Sequence, residues 1–443
     1  MRLAVCSLVL TTALSSAFGH ELKDYVSERD PAYKTLEVEL REETPEVKRW
    51  HIKFNSLAWR TIQEVNRPIW THELVVLEPK TIETDQSFFF ITGGSHKEES
   101  DLFQTQLLER LAINTSSIVS ELRMIPNQPI EFFNDGVGRT EDDLLAYSWT
   151  QYLEHWDPTW IAHFPMTKAA VTAMDLVENF ASNKAGTTIN GFVVSGASKR
   201  GWTTWLTAMV DPRVTGIVPI VIDVLNARVS MNHHRESLGF WSEAVQDYVN
   251  HGILDRLNTP EVGRLLQLID PYQHLDKLSM PKLILNAAND QFFLPDSSLF
   301  YYSELRGINY LRYVPNSGHA IIQPDVENSI TAFYKSVINR TTLPQPRWAY
   351  RGETGLILES TEKPSAITLY EAVNPENRDF RLMNRNFPRY KPTQIPVIGK
   401  SYLIEVDRPS QGYKSWLVEV VYGKGESAYK LTTSARVIGA AQP

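Results

Sequence analysis

Short apolar runs of strand length alternate with longer segments of helical periodicity from about residue 87 to residue 340. The run Ser87–Ile91 is apolar almost throughout, which is typical of a parallel strand that is covered on both faces. Further along, Val171, Met174, Val177 and Phe180 recur every three residues, which is typical of an amphipathic helix. Such alternation predicts an α/β domain with a mainly parallel sheet and right-handed crossover connections.

Two stretches depart from this alternation. Residues 226–277 form a helical, aromatic-containing insertion between two sheet strands, where α/β enzymes often carry a lid. After the linker Leu343–Pro346, short β-rich runs separated by turn residues replace the helical pattern. We therefore expect an α/β domain over residues 20–342, followed by a small β-sandwich over residues 343–443.

The amino-terminal residues 1–19 have the features of a secretory signal peptide. Arg2 precedes the apolar run Leu3–Leu10, and small residues at Ala17 and Gly19 fit cleavage before the next residue. The apolar core is short and is interrupted by Ser and Thr, which disfavours a membrane span. We expect a secreted, extracellular protein with no transmembrane segment once the signal is removed.

Cys6 is the one cysteine of the chain, and it lies inside the predicted signal peptide. The mature protein would therefore contain no disulfide, no cysteine nucleophile and no cysteine-bound zinc. Asn114 and Asn339 each begin an Asn-x-Ser/Thr triplet, so both are candidate glycosylation sites of a secreted glycoprotein.

The charge balance and the motifs exclude several function classes. With 44 basic and 52 acidic residues, the formal net charge is −8, which disfavours binding to nucleic acid. No P-loop, dinucleotide fingerprint or recognised metal-ligand spacing occurs, so we expect neither a cofactor nor a metal.

Ser198 lies at a turn between a predicted strand and a predicted helix. The strand Thr188–Val194 leads into the sequence Ser-Gly-Ala-Ser-Lys-Arg-Gly, and a helical stretch begins at Trp202. This order is the nucleophile elbow of α/β-hydrolases, although Arg200 stands where the second glycine of Gly-x-Ser-x-Gly is usual. A loop that binds nothing and a phosphate-binding turn are the alternatives.

An acid and a histidine follow in the order that the same fold requires. Asp290 comes after the strand Lys282–Leu285, and His319 follows the strand Tyr310–Val314. We therefore predict a Ser198, Asp290 and His319 triad, in which the histidine takes the serine proton and the aspartate orients the histidine. Asp223 is the rival acid, and Asp296 is a weaker rival.

Backbone N–H groups are the expected oxyanion donors. The amide of Lys199 would lie at a helix amino terminus, and the Gly93-Gly94-Ser95 turn follows an early strand, which makes Gly94 and Ser95 the second source. The role of the Lys199 side chain stays open: it either adds to the positive field or holds a substrate carboxylate.

Four further side chains are candidates for the walls of the substrate pocket: Asp223, His233, His234 and Arg200. The adjacent histidines would point about 100° apart on a helix and suit a shared metal poorly. Surface or purely structural positions are the alternative for each.

Several short motifs are distributed over nearly the whole mature chain: Thr92-Gly93-Gly94, Pro126-Asn127-Gln128-Pro129, Glu141-Asp142, Ala146-Tyr147-Ser148-Trp149, Gly196-Ala197-Ser198-Lys199-Arg200-Gly201-Trp202, Asp223-Val224-Leu225-Asn226, Met280-Pro281-Lys282 and Asp290-Gln291-Phe292-Phe293. Together they resemble the PhoPQ-activated pathogenicity-related family, which includes an autocrine proliferation repressor.

The resemblance implies an α/β-hydrolase fold with a helical lid insertion and a carboxyl-terminal Ig-like β-sandwich. It also implies a distant likeness to prolyl-oligopeptidase-type peptidases and glucuronoyl esterases, whose elbow has a basic residue at the place of Lys199. Asn289 departs from the residue that is more usual before the acid.

Two functions are compatible with these observations. The first is a secreted serine hydrolase that cleaves an ester or peptide bond of a small-molecule or peptide substrate. The second is a secreted signal, of the proliferation-repressor or chemorepellent type, that uses the fold as a scaffold for a cell-surface receptor. The complete Ser-Asp-His order favours a working enzyme, because a degenerate hydrolase is expected to have lost one of the three.

Overall fold

The computed structural model describes residues 21–96, 102–321, 323–383 and 386–441. The predicted signal peptide lies outside these residues. The chain divides into two compact units. The first comprises the residues up to Ile217 together with Gln246–Met280, and the second comprises Val218–Val245 and the residues from Pro281 onward.

The first unit is built on a mixed β-sheet. Its strands run in the order β1-β2-β3-β5-β4-β6-β7, with β1, β2 and β3 antiparallel, and with β4 parallel to both β5 and β6. The strand bounds are β1 Lys34–Glu43, β2 Val47–Ala58, β3 Ile69–Pro79, β4 Gln86–Ile91, β5 Val119–Leu122, β6 Gly191–Ala197 and β7 Val214–Ile220. All residues of β4 are buried, as its continuous apolar run predicts.

Helices alternate with strands along the chain. Their bounds are α1 Leu102–Thr115, α2 Glu141–His155, α3 His163–Phe180, α4 Lys199–Val210, α5 Ala227–Leu238 (in the second unit), α6 Gln246–Asn250 and α7 Pro260–Ile269. The start of α7 is fixed by its sequence: Thr259 accepts a hydrogen bond from the amide of Val262, and Pro260 occupies the first helical position. Helices α5, α6 and α7 lie in the segment between β7 and the next strand, as expected for residues 226–277.

The second unit contains the end of β7, two further parallel strands and a helix: β8 Lys282–Ala287, β9 Asn309–Val314 and α8 Val326–Ile338. Antiparallel strands follow, in a β10-β11-β14 sheet and a β13-β12-β15-β16 sheet to which β17 adds. Their bounds are β10 Pro346–Arg351, β11 Gly355–Ser360, β12 Ala366–Asn374, β13 Lys391–Ile395, β14 Ser401–Glu405, β15 Tyr413–Tyr422, β16 Tyr429–Thr432 and β17 Arg436–Gly439.

Aromatic side chains connect the two carboxyl-terminal sheets. The rings of Tyr350 on β10 and Trp416 on β15 lie 5.8 Å apart in an edge-to-face arrangement. The hydroxyls of Ser360 and Tyr422 are joined by a hydrogen bond of 2.7 Å. The two antiparallel sheets form the β-sandwich that the turn-separated β runs predict, and the first strand begins inside the expected linker, at Pro346.

Candidate active site

Ser198 occupies a strained turn between β6 and α4. Its backbone torsions are φ 57° and ψ −125°, a conformation that side-chain-bearing residues rarely adopt. Its side chain does not cap α4, although serine is a good capping residue. Gly196 allows this turn, because a Cβ there would lie 2.7 Å from the carbonyl oxygen of Arg200. The local geometry is that of a nucleophile elbow.

Replacing Ser198 with glycine is expected to increase the free energy of unfolding while removing the candidate nucleophile. Glycine tolerates a positive φ, so the change relieves backbone strain of about 1–3 kcal/mol. The greater flexibility of the unfolded glycine chain offsets up to about 1 kcal/mol of that gain. Urea unfolding of both proteins measures the difference, and an equal or lower stability of Ser198→Gly would contradict the strained geometry.

The backbone groups expected to bind an oxyanion lie beside the same elbow in the first unit. Lys199 is the first residue of α4, where helix amides lack partners within the helix. Gly94 has φ 103°, and its carbonyl oxygen accepts a hydrogen bond of 3.1 Å from the Gln128 side chain. Gln128 in turn donates to Glu141 at 2.7 Å. The glycine loop is thus held by the buried side chain of Gln128 and, through it, by Glu141.

The basic side chains after Ser198 are held by acidic residues at the start of α2. Lys199 Nζ lies 2.7 Å from Asp142 and 3.2 Å from Glu141, and Arg200 Nη1 donates to Glu141 at 2.6 Å. Burial alone would raise the pKa of Glu141, but the Arg200 and Lys199 cations lower it to about 2. The Lys199 ammonium is therefore engaged by two carboxylates, a role that the sequence pattern had left open.

Arg200 also packs against the glycine loop. A Cβ on Gly93 would lie 3.0 Å from the guanidinium carbon of Arg200, so the side chain occupies the space that glycine leaves. Arg200 thereby touches both Glu141 and the loop. It therefore contacts elements that position the backbone amides.

His319 and Asp290, the predicted general base and its orienting acid, lie in contact with each other in the second unit. His319 Nδ1 lies 3.0 Å and 2.9 Å from the two carboxylate oxygens of Asp290. The Asp290 side chain is buried, and it also accepts a hydrogen bond of 2.7 Å from the amide of Phe292. This contact places the ring proton on Nδ1 and leaves Nε2 with its lone pair, as a general base requires. Among the described residues of the second unit, Nε2 has no hydrogen-bond partner.

The loops that carry Asp290 and His319 are held in place by residues 380–382, which the sequence pattern does not link to the site. Asn289 donates to the carbonyl oxygen of Phe380 at 2.6 Å and accepts from the amide of Asn316 at 3.1 Å. Gln291 donates to the carbonyl oxygen of Leu382 at 2.7 Å and accepts from the amide of His319 at 2.8 Å. Asn289 therefore has a structural reason to precede the acid. No local sequence signal links it to partners about ninety residues away.

The rival acids are engaged elsewhere in the second unit. Asp223 is buried and accepts hydrogen bonds from the hydroxyls of Tyr301, at 2.6 Å, and Tyr313. Burial raises its pKa to about 7 despite the two tyrosine donors. Asp296 contacts His233 at 3.1 Å and Arg378 at 2.5 Å. Of the acids considered, Asp290 is the one that lies against His319.

The adjacent histidines of α5 separate, as their helical spacing predicts. His233 joins the Asp296 and Arg378 cluster, whereas His234 is buried, accepts a hydrogen bond of 3.1 Å from the Ser242 amide and stacks on Trp241. Both are bound within the second unit, and they do not share a ligand position. Among the described side chains, no cluster of three His, Cys, Asp or Glu is arranged to hold a metal ion.

The elevated pKa of Asp223 gives the protein a specific pH dependence. Between the pKa of an unfolded aspartate, about 4, and the folded value of about 7, the native state binds more protons at this residue than the unfolded state does. Its contribution to stability is therefore present below about pH 4 and is lost as the pH rises to about 7.

The comparison with Asp223→Asn isolates this effect, because asparagine does not titrate. Chemical denaturation at pH 4.5, 5.5, 6.5 and 7.5 should show wild-type stability falling relative to the variant by up to about 1.4 kcal/mol per pH unit. A pH-independent difference would show that Asp223 is ionised throughout, and would return it to the list of candidate catalytic acids.

Both candidate glycosylation residues are accessible: Asn114 lies near the end of α1 and Asn339 directly after α8, and both side chains are exposed. Within the described ranges, no helix is both long enough and apolar enough to span a bilayer.

Solved structures show the fold. An acetyl xylan esterase from Paenibacillus sp. R4 matches with a TM-score of 0.51 and 12% identity, over 72% of this chain and 93% of the esterase. Acetyl xylan esterase 1 from Thermoanaerobacterium sp. JW/SL YS485 matches with a TM-score of 0.50 and 14% identity, over 73% of this chain and 93% of that one. At such low identity the likeness establishes an α/β-hydrolase fold and nothing about the substrate.

Sequence comparison shows the family. Autocrine proliferation repressor protein A of Dictyostelium discoideum is 35% identical, over 94% of this chain and 88% of the relative. The model of the family described as PhoPQ-activated pathogenicity-related protein matches residues 22–381, which include both the elbow and the acid–base pair. The expected resemblance is confirmed, and the chain belongs to the PhoPQ-activated pathogenicity-related protein family.

Proposed function

We propose that this protein is a secreted serine hydrolase that cleaves an ester or a peptide bond through an acyl-enzyme. Ser198 is the nucleophile, His319 its general base and Asp290 the residue that orients the base. The observation that carries the proposal is the backbone of Ser198, which is strained at a strand-to-helix turn in a fold shared with esterases. Strained backbone conformations of this kind cluster at active sites and ligand-binding sites.

The chemistry follows from the groups at each half of the proposed site. A serine hydroxyl is a weak nucleophile, and a histidine with a free ring nitrogen can remove its proton during attack. Asp290 supports that histidine by accepting from Nδ1, which also stabilises the imidazolium after proton transfer. The resulting tetrahedral oxyanion would receive hydrogen bonds from the amide of Lys199 and from the Gly94–Ser95 backbone.

The acidic residues of α2 give the oxyanion site its rigidity. Glu141 contacts Lys199 and Arg200 after the nucleophile, and it reaches the glycine loop through Gln128. One carboxylate thus connects both proposed sources of oxyanion donors. Donors held in place before the reaction stabilise developing charge without a reorganisation cost.

Covalent labelling tests the proposal. Purified wild-type protein should react with a fluorophosphonate probe, and Ser198→Ala should not react. Ser303→Ala, at an exposed serine outside the proposed site, is the matched control and should label like the wild type. Folded wild-type protein that resists the probe would contradict a working serine hydrolase.

Secretion is part of the proposal and rests on the leader-like residues 1–19. Amino-terminal sequencing of protein from the culture medium should begin near His20. A secreted protein that retains Met1 would contradict cleavage at this place.

A second function is favoured by the name of the relative that is 35% identical, an autocrine proliferation repressor. In that case the protein is an extracellular signal, and its partner is a cell-surface receptor. The variant Ser198→Ala separates the two: a signal that depends on catalysis disappears with the nucleophile, whereas a signal carried by the scaffold persists.

A further inference from the structure

A cavity of about 770 Å³ opens in the first unit between the antiparallel strands β1 to β3 and the loop that follows β4. Its wall includes Ser95, which directly follows Gly94 of the proposed oxyanion loop, and also His96, Arg67 and Lys53. The volume is within the range of small-molecule sites, about 300–1,000 Å³. The cavity therefore reaches the loop that we propose as a source of oxyanion donors.

One group of charged side chains around this cavity is electrostatically balanced. Glu73 contacts His51, Arg123 and Arg41, and Arg41 also contacts Glu39. The buried His72 has both ring nitrogens in hydrogen bonds, and burial lowers its pKa to about 4, so it is neutral at physiological pH. These groups have their partners, and they offer no unpaired charge to a ligand.

Two further cations of the lining, Arg67 and Lys53, form no ion pair within the part of the chain that the structure describes. Among the described residues, no carboxylate lies within ion-pairing distance of Arg67 or Lys53. Arg67 donates to the carbonyl oxygen of Asn127 at 3.2 Å, and its Nε–H has no acceptor. Glu37 on β1 and Glu73 on β3 both lie across from Lys53 in the strand register, and both line the cavity, yet neither forms an ion pair with it. An arginine fork without a carboxylate beside an open cavity is suited to an incoming anion.

His96 lies between these cations and the glycine loop in the chain order of contacts: it directly follows Ser95 and contacts Asn127. Its Nε2 lies 2.8 Å from the side-chain oxygen of Asn127. The backbone carbonyl oxygen of Asn127 accepts the hydrogen bond from Arg67. His96, Arg67 and Lys53 all line the cavity, and burial and the two nearby cations lower the pKa of His96. An anion bound in this cavity would lie near Arg67 and Lys53. It would also lie near His96, the residue that directly follows Ser95 in the chain.

We propose that this cavity binds a carboxylate of the substrate, so that the hydrolase acts on esters or amides of molecules that carry a second, anionic group. The inference rests on the proposed function for the reaction, but the anion site itself does not depend on catalysis. Arg67 supplies the directional hydrogen bonds, and Lys53, which is exposed, supplies a longer-range attraction that salt weakens.

Hydrolysis of two matched esters tests the specificity. We expect kcat/KM for mono-4-nitrophenyl glutarate to exceed that for neutral 4-nitrophenyl pentanoate by about tenfold, the effect of one favourable charge-assisted contact. Arg67→Gln and Lys53→Gln should each lower this ratio. Lys335→Gln, which removes an exposed lysine in the second unit, is the control and should leave the ratio unchanged.

Direct binding separates this inference from the proposed function. Calorimetric titration of Ser198→Ala with glutarate, and separately with sulfate, measures the anion site without any reaction. Glutarate should bind, sulfate should compete, and adding Arg67→Gln should weaken glutarate about tenfold. Equal affinity with and without Arg67, or no binding, would overturn the inference even if fluorophosphonate labels Ser198. Binding without labelling would instead overturn the proposed reaction and leave the anion site standing.

Discussion

Ser198→Ala is expected to reduce turnover of any activated ester by about 10⁶-fold, the loss seen when a serine hydrolase is deprived of its nucleophile. Alanine removes the oxygen that would form the acyl-enzyme, and no other group replaces it. The change is small and leaves the backbone in its strained conformation, so the folded state should persist. Stopped assays at high enzyme concentration measure the residual rate.

The control for this loss of turnover is a measurement of folding. Circular dichroism and thermal unfolding of Ser198→Ala should match those of the wild type, since the side chain does not cap α4. A variant that folds normally and retains a substantial fraction of wild-type turnover would show that another residue carries the reaction.

Asp290→Asn is expected to reduce turnover by about 10⁴-fold while the protein stays folded. An asparagine amide would donate to His319 Nδ1, where the aspartate accepts. The ring proton would then move to Nε2, and the histidine could no longer act as a base at that atom. The pair is buried on the Asp290 side, so water cannot readily supply the missing acceptor.

Asp223→Asn is the matched control for this substitution, since both changes replace a buried aspartate with its isostere. Asp223 contacts Tyr301 and Tyr313, not His319, so the control should retain most of its turnover. The reverse outcome, with activity lost in Asp223→Asn and kept in Asp290→Asn, would mean that the acid has been misassigned.

Much of the fold is predictable because its strands are buried on both faces. β4 and β8 contain continuous apolar runs rather than an alternation of apolar and polar residues, and both strands are buried throughout. β1 was not predicted, and its residues are all exposed, with charged and apolar side chains alternating. The alternation is itself a strand pattern, but β1 lies at the edge of the sheet and buries no face, so its pairing with β2 is not predictable from its own sequence.

The same distinction applies to the site. The contact between Asp290 and His319 is predictable because the chain order and the strand ends place them in neighbouring loops, and β8 and β9 are indeed parallel neighbours. The role of the Lys199 side chain is not predictable. It depends on Asp142 and Glu141, which precede it by more than fifty residues and meet it only in the folded chain.

The measurement that tests the central claim most directly is the mass of the peptide that contains Ser198 after reaction with a fluorophosphonate. We predict one phosphonyl group per chain, located on Ser198, and formed much more slowly in His319→Gln, because that variant lacks the base that activates the serine. A folded wild-type protein that gains no phosphonyl group, or gains it on another residue, would contradict the assignment of Ser198 as the nucleophile.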